Sequence, residues 1–256
     1  MIIWKRKFVT VGEVWFDEPY EPLSSDVIVC YHWSVPAHPL LTKPFLSIEI
    51  DLSKDLDALL GAAKKDMRQK LTRAEKDGLH FEGWTDVPTQ MFQEFCDFYD
   101  GFAAQRGLTP APRHWMDVYR KAGRLAISRV TRDGVPLVWH SYYHDLTHVR
   151  QLQSASFYRE VQDPTLRSVI GRANRLHHWK DIQWFKENRI RLFDMGGWYE
   201  GAEDEGKLRI NQFKEEFGGV ITKRFYSMLP VGLRGRAFLL GRRMRRTGGD
   251  EFIHMV

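Results

Sequence analysis

The stretch RLFDMGGWYEGAEDEGKLRINQFKEEFGG, residues 191–219, decides the fold of this chain. Its residues 192–193 are predicted to end a short apolar strand, and the glycines at 196–197 give the backbone freedom directly after it. Residues 211–217 are predicted to form a short helix that the following glycine pair ends. A carboxylate and two glycines at the end of a strand are typical of ligand sites in α/β proteins. Asp194 as the cap of a tight turn is an equally good interpretation.

Length and composition are those of an ordinary globular protein. The chain has 256 residues, which is long enough for one large domain or two small ones, each with a hydrophobic core. Of these residues, 43% are hydrophobic and 28% are charged, as in an ordinary globular protein. Cys30 and Cys96 are the two cysteines, which excludes a disulfide framework or a structural zinc site. The start MIIWKRKFV lacks a signal-peptide segment, and no run of about 18 apolar residues occurs. The chain is therefore expected to stay in the reducing cytoplasm.

The positive charge is concentrated at the C-terminal end. The net charge of the whole chain is +5. Residues 230–256 hold six arginines against Asp250 and Glu251, a net charge of +4, which leaves +1 for residues 1–229. A DNA-binding protein usually spreads its basic residues over one face, so DNA is not expected as a partner. The amphipathic terminal segment LRGRAFLLGRRMRRTGG either contacts an anionic lipid surface or is simply an exposed last helix.

Hydrophobic periodicity predicts a mixed order of strands and helices. Strands are predicted at 2–9, 27–33, 45–50, 79–84, 125–130, 135–143, 148–157, 189–193 and 220–226, and helices at 53–77, 89–106, 112–122 and 164–188. Ser53 is the expected N-cap of the first helix. In the middle of the chain, three antiparallel strands are followed by a helix and a further strand. This order places the start of the helix 164–188 at a sheet edge, where unpaired backbone amides collect.

Four stretches resemble the acyltransferases of the GNAT fold and, within them, the branch of the Fem-type peptidoglycan aminoacyltransferases. The stretches are KKDMRQKLTRAEKDGL (64–79), SRVTRDGVPLVWHSYY (128–143), IGRANRLHHWKDIQWFKENRIRLFDMGG (170–197) and INQFKEEFGG (210–219). The resemblance implies an α+β, GNAT-like acyl-CoA N-acyltransferase fold. Such a fold has a central mixed, mostly antiparallel sheet flanked by helices.

The chain departs from the Fem-type pattern in its length and in one motif. It is shorter, with room for one complete GNAT-like half at 108–256, which ends in the basic terminal helix. The remaining residues 1–107 are expected to form a reduced GNAT-like half that carries the basic helix. Before the helix 164–188 the chain has REVQDP in place of the glycine-rich phosphate loop of ordinary GNAT enzymes. Its size suits the short relatives that acylate amino sugars on nucleotide carriers.

The resemblance therefore implies an N-acyltransferase that uses acyl-CoA and no metal. It would move the acyl group to the amine of an amino sugar nucleotide, or of a related cell-envelope precursor, by direct attack on the thioester. Aminoacyl transfer from charged transfer RNA and a non-catalytic binding subunit are the alternatives. The near-neutral body and the missing helical arm argue against transfer RNA as a partner. The acyl chain, the acceptor and the oligomeric state stay open, with a homodimer as one alternative.

The coenzyme A site that the fold implies lies at the start of the helix 164–188 and between the strands 148–157 and 189–194. Asp163 is expected to cap the helix, and the pyrophosphate is expected at the free amides beside Arg167. The full set of expected cofactor-binding residues is Ser154, Asp163, Leu166, Arg167, Ser168 and Asn174. Because every helix has such an end, an ordinary helix start is the alternative.

The candidate catalytic residues come from the strand WHSYYH (139–144) and from the following helix. In a strand His140 and Tyr142 share one face. A histidine with a near-neutral pKa would accept the proton of the amine, and a tyrosine would protonate the leaving thiolate. His178, four residues after Asn174 on one helix face, is the alternate proton donor. Packing of these rings in the core is the competing interpretation.

The candidate acceptor site follows the two glycines. The residues expected to bind the acceptor are Asp194, Trp198, Tyr199, Arg68 and Arg73. The carboxylate would bind an ammonium group or sugar hydroxyls, and the two aromatic rings would stack on a base or sugar under a mobile acidic loop at 200–205. The two arginines, on the basic helix, would meet a substrate phosphate. A solvated helix face is the alternative for these arginines.

Overall fold

The computed structural model describes residues 1–6, 8–39, 41–159 and 161–244 of the chain. The described strands are β1 (Ile2–Arg6), β2 (Val9–Trp15), β3 (Val27–Trp33), β4 (Thr42–Asp51), β5 (Leu79–Trp84), β6 (Leu125–Arg132), β7 (Val135–His144), β8 (His148–Ser156), β9 (Leu192–Trp198) and β10 (Val220–Pro230). The described helices are α1 (Leu56–Ala62), α2 (Lys65–Ala74), α3 (Thr89–Arg106), α4 (Arg113–Lys121), α5 (Pro164–Glu187), α6 (Glu205–Glu215) and α7 (Gly232–Met244). No helix within these ranges is long and apolar enough to cross a bilayer.

The chain divides into two units by its internal contacts. The first combines Met1–Ser47 with Thr222–Val256, and the second comprises Ile48–Ile221. The boundary expected between residues 107 and 108 falls within the second unit, between α3 and α4. The division into two GNAT-like halves at that point stays a prediction.

The first unit contains a sheet of four neighbouring strands, in the order β1, β2, β3 and β10. β1 pairs antiparallel with β2, β2 pairs parallel with β3, and β10 pairs antiparallel with β3. Val14 of β2 and Ile28 and Cys30 of β3 form a small hydrophobic core on this sheet. The single strand predicted at 2–9 is therefore wrong, because β1 ends at Arg6 and a second strand begins at Val9. Of the predicted terminal helix, the part beyond residue 244 lies outside the described residues.

The second unit contains the predicted order of meander, helix and strand. β5 to β8 pair antiparallel in sequence order, and β9 joins β8 in parallel. A parallel neighbour requires a crossover connection, which α5 supplies. The side chains of α5 that are buried in the core of this unit are Leu176, Trp179, Ile182 and Phe185, next to Tyr142, Phe193 and Met195 of the sheet. The predicted α+β class with a mixed, mostly antiparallel sheet is confirmed.

The helix predicted at 53–77 is broken in two. α1 begins after Asp55, whose side chain accepts from the amide of Ala58, so Ser53 is not the N-cap. The break between α1 and α2 is a tertiary effect. The Lys64 amide donates to the Glu216 carbonyl at 2.9 Å and is thereby bound to a segment distant in sequence. Helical periodicity continues through the break, so local sequence alone does not reveal it.

The opening stretch also differs from its prediction at two boundaries. β9 does not end at Phe193 but continues through the two glycines to Trp198. α6 begins at Glu205 and not at residue 211, because Asp204 caps it by accepting from the Lys207 amide at 3.0 Å. The acidic loop at 200–205, expected to be a mobile rim, thus ends in the N-cap and the first residue of a helix.

Candidate functional site

β8 and β9 pair only near their first residues. Within these two fully described strands, the parallel register runs from His148 opposite Leu192 to Arg150 opposite Asp194 and then ends, although both strands continue. Parallel strands that part in this way expose backbone groups at their carboxyl ends. Ligands of open α/β sheets bind at such ends.

A β-bulge lies at the same place. Ser141 of β7 is opposite Gln153 of β8, whereas Tyr142 is opposite Gln151, so Leu152 is the extra residue. A bulge bends its strand and increases the local twist. β8 therefore turns away from β9 directly after their last shared pair.

The Asp194 carboxylate is buried at that last pair, with 1% of the residue exposed. Its Oδ1 accepts from the Gly196 amide at 2.6 Å, and its Oδ2 pairs with Arg150 Nη1 at 3.0 Å. Gly196 has a φ of +90°, which favours glycine. Its amide therefore turns to the carboxylate of its own strand. Asp194 both caps this backbone turn, as one interpretation predicted, and holds a guanidinium group.

Lys214 of α6 brings a second cation to this point. Its Nζ donates to the Gly197 carbonyl at 2.7 Å, and the side chain is half-buried. Burial and the charge of Arg150 lower the pKa of Lys214 from 10.5 to about 8, while Asp194 opposes that shift. Two positive charges and one negative charge thus meet where β8 and β9 part. Arg150, Asp194 and Lys214 are called the strand-end cluster below.

The segment FKEEFGG holds α6, and with it the lysine, against α5. The rings of Phe213 and Phe217 contact the ring of His178, with centroids 5.1 and 5.3 Å away. Glu216 forms two hydrogen bonds to the guanidinium of Arg175, at 2.6 and 2.7 Å. A bidentate pair of this kind fixes orientation as well as distance. The residues around the lysine therefore position its ammonium group.

A second group of polar side chains is centred on Asp181 of α5. The carboxylate accepts from Ser128 Oγ and from Tyr142 Oη, both at 2.6 Å, and from His140 Nδ1 at 2.8 Å. Because Ser128 donates to the carboxylate, its Oγ accepts from His177 Nε2 at 2.8 Å. The rings of His140 and His177 stack with 3.7 Å between their centroids. All five side chains are fully buried, and they are called the Asp181 network.

Burial controls protonation in the Asp181 network. It lowers the pKa of His140 from 6.5 to about 3, with the Asn174 side chain opposing, and lowers the pKa of His177 well below 6.5. It raises the pKa of Asp181 from 3.8 to about 7 against the effect of its hydroxyl donors. The near-neutral pKa expected for His140 is therefore wrong, because water does not reach the ring to stabilise an imidazolium.

Tyr142 has an equally enclosed environment. Its hydroxyl donates to Asp181, and burial, followed by the charge of that carboxylate, raises the pKa of Tyr142 well above 10. A side chain with no exposed surface does not reach a thiolate unless the surrounding core opens. The structure does bring together His140, Tyr142 and His178, as the sequence predicted, but in the core of the unit.

The Asp181 network contains three side chains that could ligate a metal ion, but their geometry does not fit such an ion. The possible ligand atoms of His140, His177 and Asp181 lie within 4.8 Å of one another. An ion between two stacked rings would lie out of each ring plane by about half of their 3.7 Å separation. That displacement nearly equals a Zn–N bond of about 2.0–2.1 Å, whereas the nitrogen lone pair lies in the ring plane. The three side chains are instead linked through the hydrogen bonds given above, while His140 Nε2 and His177 Nδ1 are buried without a hydrogen-bond partner among the described residues.

His178 connects the Asp181 network with the strand-end cluster. Its Nδ1 donates to the Asn174 carbonyl at 2.9 Å, which leaves Nε2 to accept from Gln151 Nε2 at 3.2 Å. Its ring centroid lies 4.3 Å from that of His140, and Gln151 directly follows Arg150 on β8. Burial lowers the pKa of His178 from 6.5 to about 3. The side chain is therefore a neutral acceptor here, and its role as a proton donor stays a prediction.

The residues expected at a coenzyme A pyrophosphate lie at the start of α5. Asp163 is confirmed as the N-cap, since its Oδ1 accepts from the amide two residues on at 2.8 Å. Arg167 turns back and donates through Nε and Nη2 to the Val161 carbonyl, at 3.0 and 2.6 Å. Ser168 Oγ accepts from Arg172 at 2.7 Å. A bound pyrophosphate would have to compete with these contacts.

Three more members of the expected cofactor set are half-buried. Leu166 lies in the first turn of α5, Ser154 lies on β8 opposite His140, and Asn174 faces the same histidine. Ser154 and Asn174 are thus neighbours of the Asp181 network. Their contact with a cofactor stays a prediction.

The two arginines expected to bind a substrate phosphate are not brought to the strand-end cluster by any described contact. Arg68 Nη1 donates to the carbonyls of Leu60 and Gly61, at 3.3 and 3.1 Å, and so closes the C-terminal end of α1. Arg73 is exposed in the last turn of α2. The break between α1 and α2 places Arg68 in this capping role.

The two aromatic residues after the glycine pair are less exposed than the sequence suggested. Trp198 is half-buried and packs against the core of the second unit. Tyr199 is held by Asn211, whose side chain accepts from its amide at 3.1 Å and donates to its carbonyl at 2.8 Å. Lys207 lies over the Tyr199 ring, 5.0 Å from its centroid. Trp198 therefore has a packing role, and stacking on a ligand stays a prediction for both residues.

Four residues of this region were missed by the sequence reasoning: Arg150, Gln151, Asp181 and Lys214. Two of them have a local signal. Asp181 is four residues after His177, the spacing of one helix face, and Lys214 lies inside the FKEEFGG stretch. Arg150 and Gln151 have none, since their importance follows from the register of β8 with β9 and β7.

The buried histidines predict a steep loss of stability in acid. His140, His177 and His178 have depressed pKa values, so their contribution is complete above about pH 6.5 and is lost as the pH falls through the folded-state pKa values, about 3 for His140 and His178 and well below 6.5 for His177. The raised pKa of Asp181 acts oppositely, with stability present below 3.8 and lost as the pH rises toward 7. Between about pH 6.5 and 4 the unfolded state binds about three more protons than the folded state at the histidines and about one fewer at Asp181, a net difference of about two. The free energy of unfolding is therefore expected to fall by roughly 2–3 kcal/mol per pH unit in this range.

Urea unfolding at closely spaced pH values measures this slope, and one variant isolates the histidines. His177→Asn removes one titrating ring and should reduce the slope by about one proton, whatever its effect on stability at pH 7. His114→Asn, on the separate helix α4, is the matched control for the same substitution outside the Asp181 network. A stability that is flat from pH 7 to 5 in the unsubstituted protein would contradict the neutral, buried state of the three rings.

Comparison with known proteins identifies the fold. No protein-family model matches the sequence, and no curated protein sequence matches it either. Among solved structures, FemX superposes with a TM-score of 0.66 at 12% identity, over 95% of this chain and 86% of FemX. The C-terminal domain of a putative lysylphosphatidylglycerol synthetase from Agrobacterium fabrum gives a TM-score of 0.54 at 16% identity, over 88% of this chain and 74% of that chain.

A third similar structure is L-PGS from Bacillus licheniformis, with a TM-score of 0.52 at 13% identity, over 86% of this chain and 74% of L-PGS. Identities this low show the fold alone. The chain thus shares its fold with FemX, which confirms the Fem-like α+β fold expected from the four sequence stretches.

Proposed function

We propose that this chain transfers an acyl group from acyl-CoA to the amine of an amino sugar nucleotide or a related cell-envelope precursor. The observation that carries the proposal is the pair of cations, Arg150 and Lys214, at the point where β8 and β9 part. Negative charge develops on the carbonyl oxygen when an amine attacks a thioester. Fixed positive groups aimed at that oxygen lower the barrier.

Lys214 is the better placed of the two cations for this role. Arg150 is committed to the buried Asp194 carboxylate, whereas Lys214 donates to a single backbone carbonyl at an exposed glycine. An ammonium group has three donors. Lys214 therefore keeps hydrogen-bonding capacity for a substrate oxygen while the Gly197 carbonyl holds it in place.

The reaction needs no covalent enzyme intermediate. The lone pair of the acceptor amine forms the new C–N bond, and the carbonyl electrons move to the oxygen beside Lys214. Their return breaks the C–S bond, and the proton lost by the nitrogen neutralises the thiolate of coenzyme A. In this scheme Lys214 remains an ammonium group throughout, and Asp194 positions Arg150 and the Gly196 amide. Alignment of the two bound substrates supplies much of the remaining rate.

The proposal is tested with purified protein, a panel of acyl-CoAs and a panel of nucleotide-linked amino sugars. Release of free thiol together with a mass increase of the acceptor by one acyl group is the expected result. Calorimetry should detect acyl-CoA binding without the acceptor. Absence of acyl-CoA binding at millimolar concentration, with folded protein, would overturn the choice of donor.

Aminoacyl transfer is the second candidate, and one observation favours it. The chain shares its fold with a domain of a protein named as a putative lysylphosphatidylglycerol synthetase. An aminoacyl ester presents the same kind of carbonyl carbon to a nucleophile as a thioester does. Product formation with a charged transfer RNA, and not with any acyl-CoA, would select this candidate. The strand-end cluster would serve the same purpose in both reactions.

A further inference from the structure

Helix α7 carries an exposed apolar stripe. Leu233, Ala237 and Leu240 follow one another at spacings of four and three residues, which places them on one face of the helix. Leu233 is 83% exposed and Leu240 is 63% exposed, and Ala237 is exposed as well. Two leucines of one helix that both face water are costly unless something covers them.

The opposite face of α7 packs against the rest of the first unit, so the apolar stripe faces away from that unit. The Val231 amide donates to the Asp26 carbonyl at 2.7 Å. Gly235 is buried so closely that a Cβ there would lie 1.9 Å from the same carbonyl oxygen. The ring of Phe238 meets the ring of Phe8 edge to face, with centroids 6.3 Å apart.

Phe8 lies in the turn between β1 and β2 and is 66% exposed, on the side of the helix that carries Phe238. It therefore does not cover the stripe. Leucines on one face are typical of a helix that lies in a membrane interface. Leu233, Ala237 and Leu240 are called the α7 surface below.

Positive charge borders the stripe on both sides. At 100° per residue, Arg234 and Arg236 lie on opposite flanks of the line through the two leucines, and both are exposed. The sequence continues with four more arginines, at positions 242, 243, 245 and 246. Arginine stems cover apolar surface while their guanidinium groups reach the polar layer above it.

We propose that the α7 surface docks on an anionic lipid membrane. The helix lies parallel to the bilayer, with its two leucines in the interface and the flanking arginines at the level of the lipid phosphates. A nucleic acid would account for the arginines but not for the exposed leucines. A second copy of the chain would cover the leucines but would bring two sets of arginines face to face. This inference does not depend on the proposed enzymatic function.

Vesicle flotation of the full chain tests the proposal without any substrate. One vesicle type is phosphatidylcholine alone, and the other contains about 30 mol% phosphatidylglycerol. The protein is expected to float with the anionic vesicles, and the bound fraction should fall as salt is raised. Little binding to the neutral vesicles is expected, because few exposed apolar side chains give weak partitioning by themselves.

Two double variants separate the apolar and the charged contributions. Leu233→Ser with Leu240→Ser should weaken binding roughly tenfold or more, and Arg234→Gln with Arg236→Gln should weaken it roughly thirtyfold. Leu23→Ser, at a residue 90% exposed elsewhere in the first unit, is the matched control and should bind like the unsubstituted protein. Thermal melting of each variant verifies that it is folded.

Several outcomes would overturn the proposal. One is equal binding to neutral and anionic vesicles, and another is full binding by either double variant. Release of vesicle-bound protein by RNA, with no effect of the leucine changes, would identify the region as a nucleic-acid surface. Self-association in light scattering that the leucine changes abolish, without vesicle binding, would identify a contact between copies of the chain.

Discussion

Lys214→Met is expected to lower kcat/KM for acyl transfer by a factor on the order of 10² to 10³. Removal of one preorganised donor to a developing oxyanion has an effect of this size in other acyl-transfer sites. Methionine keeps the unbranched length of lysine, so the packing of α6 should survive. The measurement is steady-state kinetics of the acyl transfer, with thermal melting as the check on folding.

The pH dependence of this loss tests the charge state of the lysine. The pKa of Lys214 is lowered to about 8, so the ammonium fraction falls as the pH rises through that value. The ratio of wild-type to variant kcat/KM should be constant below about pH 7.5 and fall by about tenfold per unit well above 8. Using the ratio cancels the titration of the acceptor amine. A ratio that increases above pH 8 would show that the neutral amine acts as a base.

The matched control for this variant is Lys64→Met. Lys64 pairs with Glu215, the neighbour of Lys214 on α6, at 2.9 Å, but its side chain is 54% exposed. Loss of such a pair costs at most about 1 kcal/mol of stability. Lys64→Met should therefore leave kcat/KM within about twofold of the unsubstituted value. If Lys64→Met and Lys214→Met lowered kcat/KM by similar factors, the effect would come from a disturbed α6 and not from loss of the Lys214 ammonium group.

Asp194→Asn is expected to lower the free energy of unfolding by roughly 2–4 kcal/mol. The amide oxygen still accepts from Gly196, but Arg150 loses its ion pair with residue 194 while only 14% of its side chain is exposed. The negative charge between two neighbouring cations, Arg150 and Lys214, is then missing. Asp163→Asn, at the exposed cap of α5, is the control and should cost about 1 kcal/mol or less.

The same variant should also change the titration of the lysine. Asp194 raises the pKa of Lys214 against the lowering effects of burial and Arg150. Without that carboxylate, the ratio of kcat/KM between Asp194→Asn and the double variant Asp194→Asn with Lys214→Met should begin to fall at a pH below about 8. Unchanged stability together with a strong rise in KM for the acceptor would contradict the positioning role. It would assign the carboxylate to acceptor binding, the other interpretation open from the sequence.

Local patterns predicted the elements whose ends have local causes. α3 begins at Thr89 and ends at Arg106, directly before Gly107, whose φ of +62° is the left-handed conformation of a helix stop. β5 and β3 have the predicted bounds, and Asp163 caps α5 as expected. The glycine, proline and capping residues that end these elements are visible without knowledge of the fold.

Features that depend on long-range pairing were beyond local patterns. The break between α1 and α2 follows from a hydrogen bond between Lys64 and Glu216. Arg150 matters because the parallel register places it opposite Asp194. The strand periodicity predicted that His140 and Tyr142 share a face, but it did not predict that α5 would cover that face. Burial, and with it every pKa in the Asp181 network, depends on that covering helix.

The close approach of residues 62–64 to residues 215–218 has a consequence for how the chain folds. At Gly218 an added Cβ would lie 2.6 Å from the Ala62 carbonyl, and Lys64 is bonded to both Glu215 and Glu216. Contacts between residues so far apart in sequence close a large loop late, because the entropy of closure must be overcome first. During synthesis, the contacts of α1 and α2 with residues 215–218 therefore cannot form until α6 has left the ribosome. Lys214 reaches the strand-end cluster in the same step, so a nascent chain without α6 would have neither these contacts nor the second cation beside Arg150.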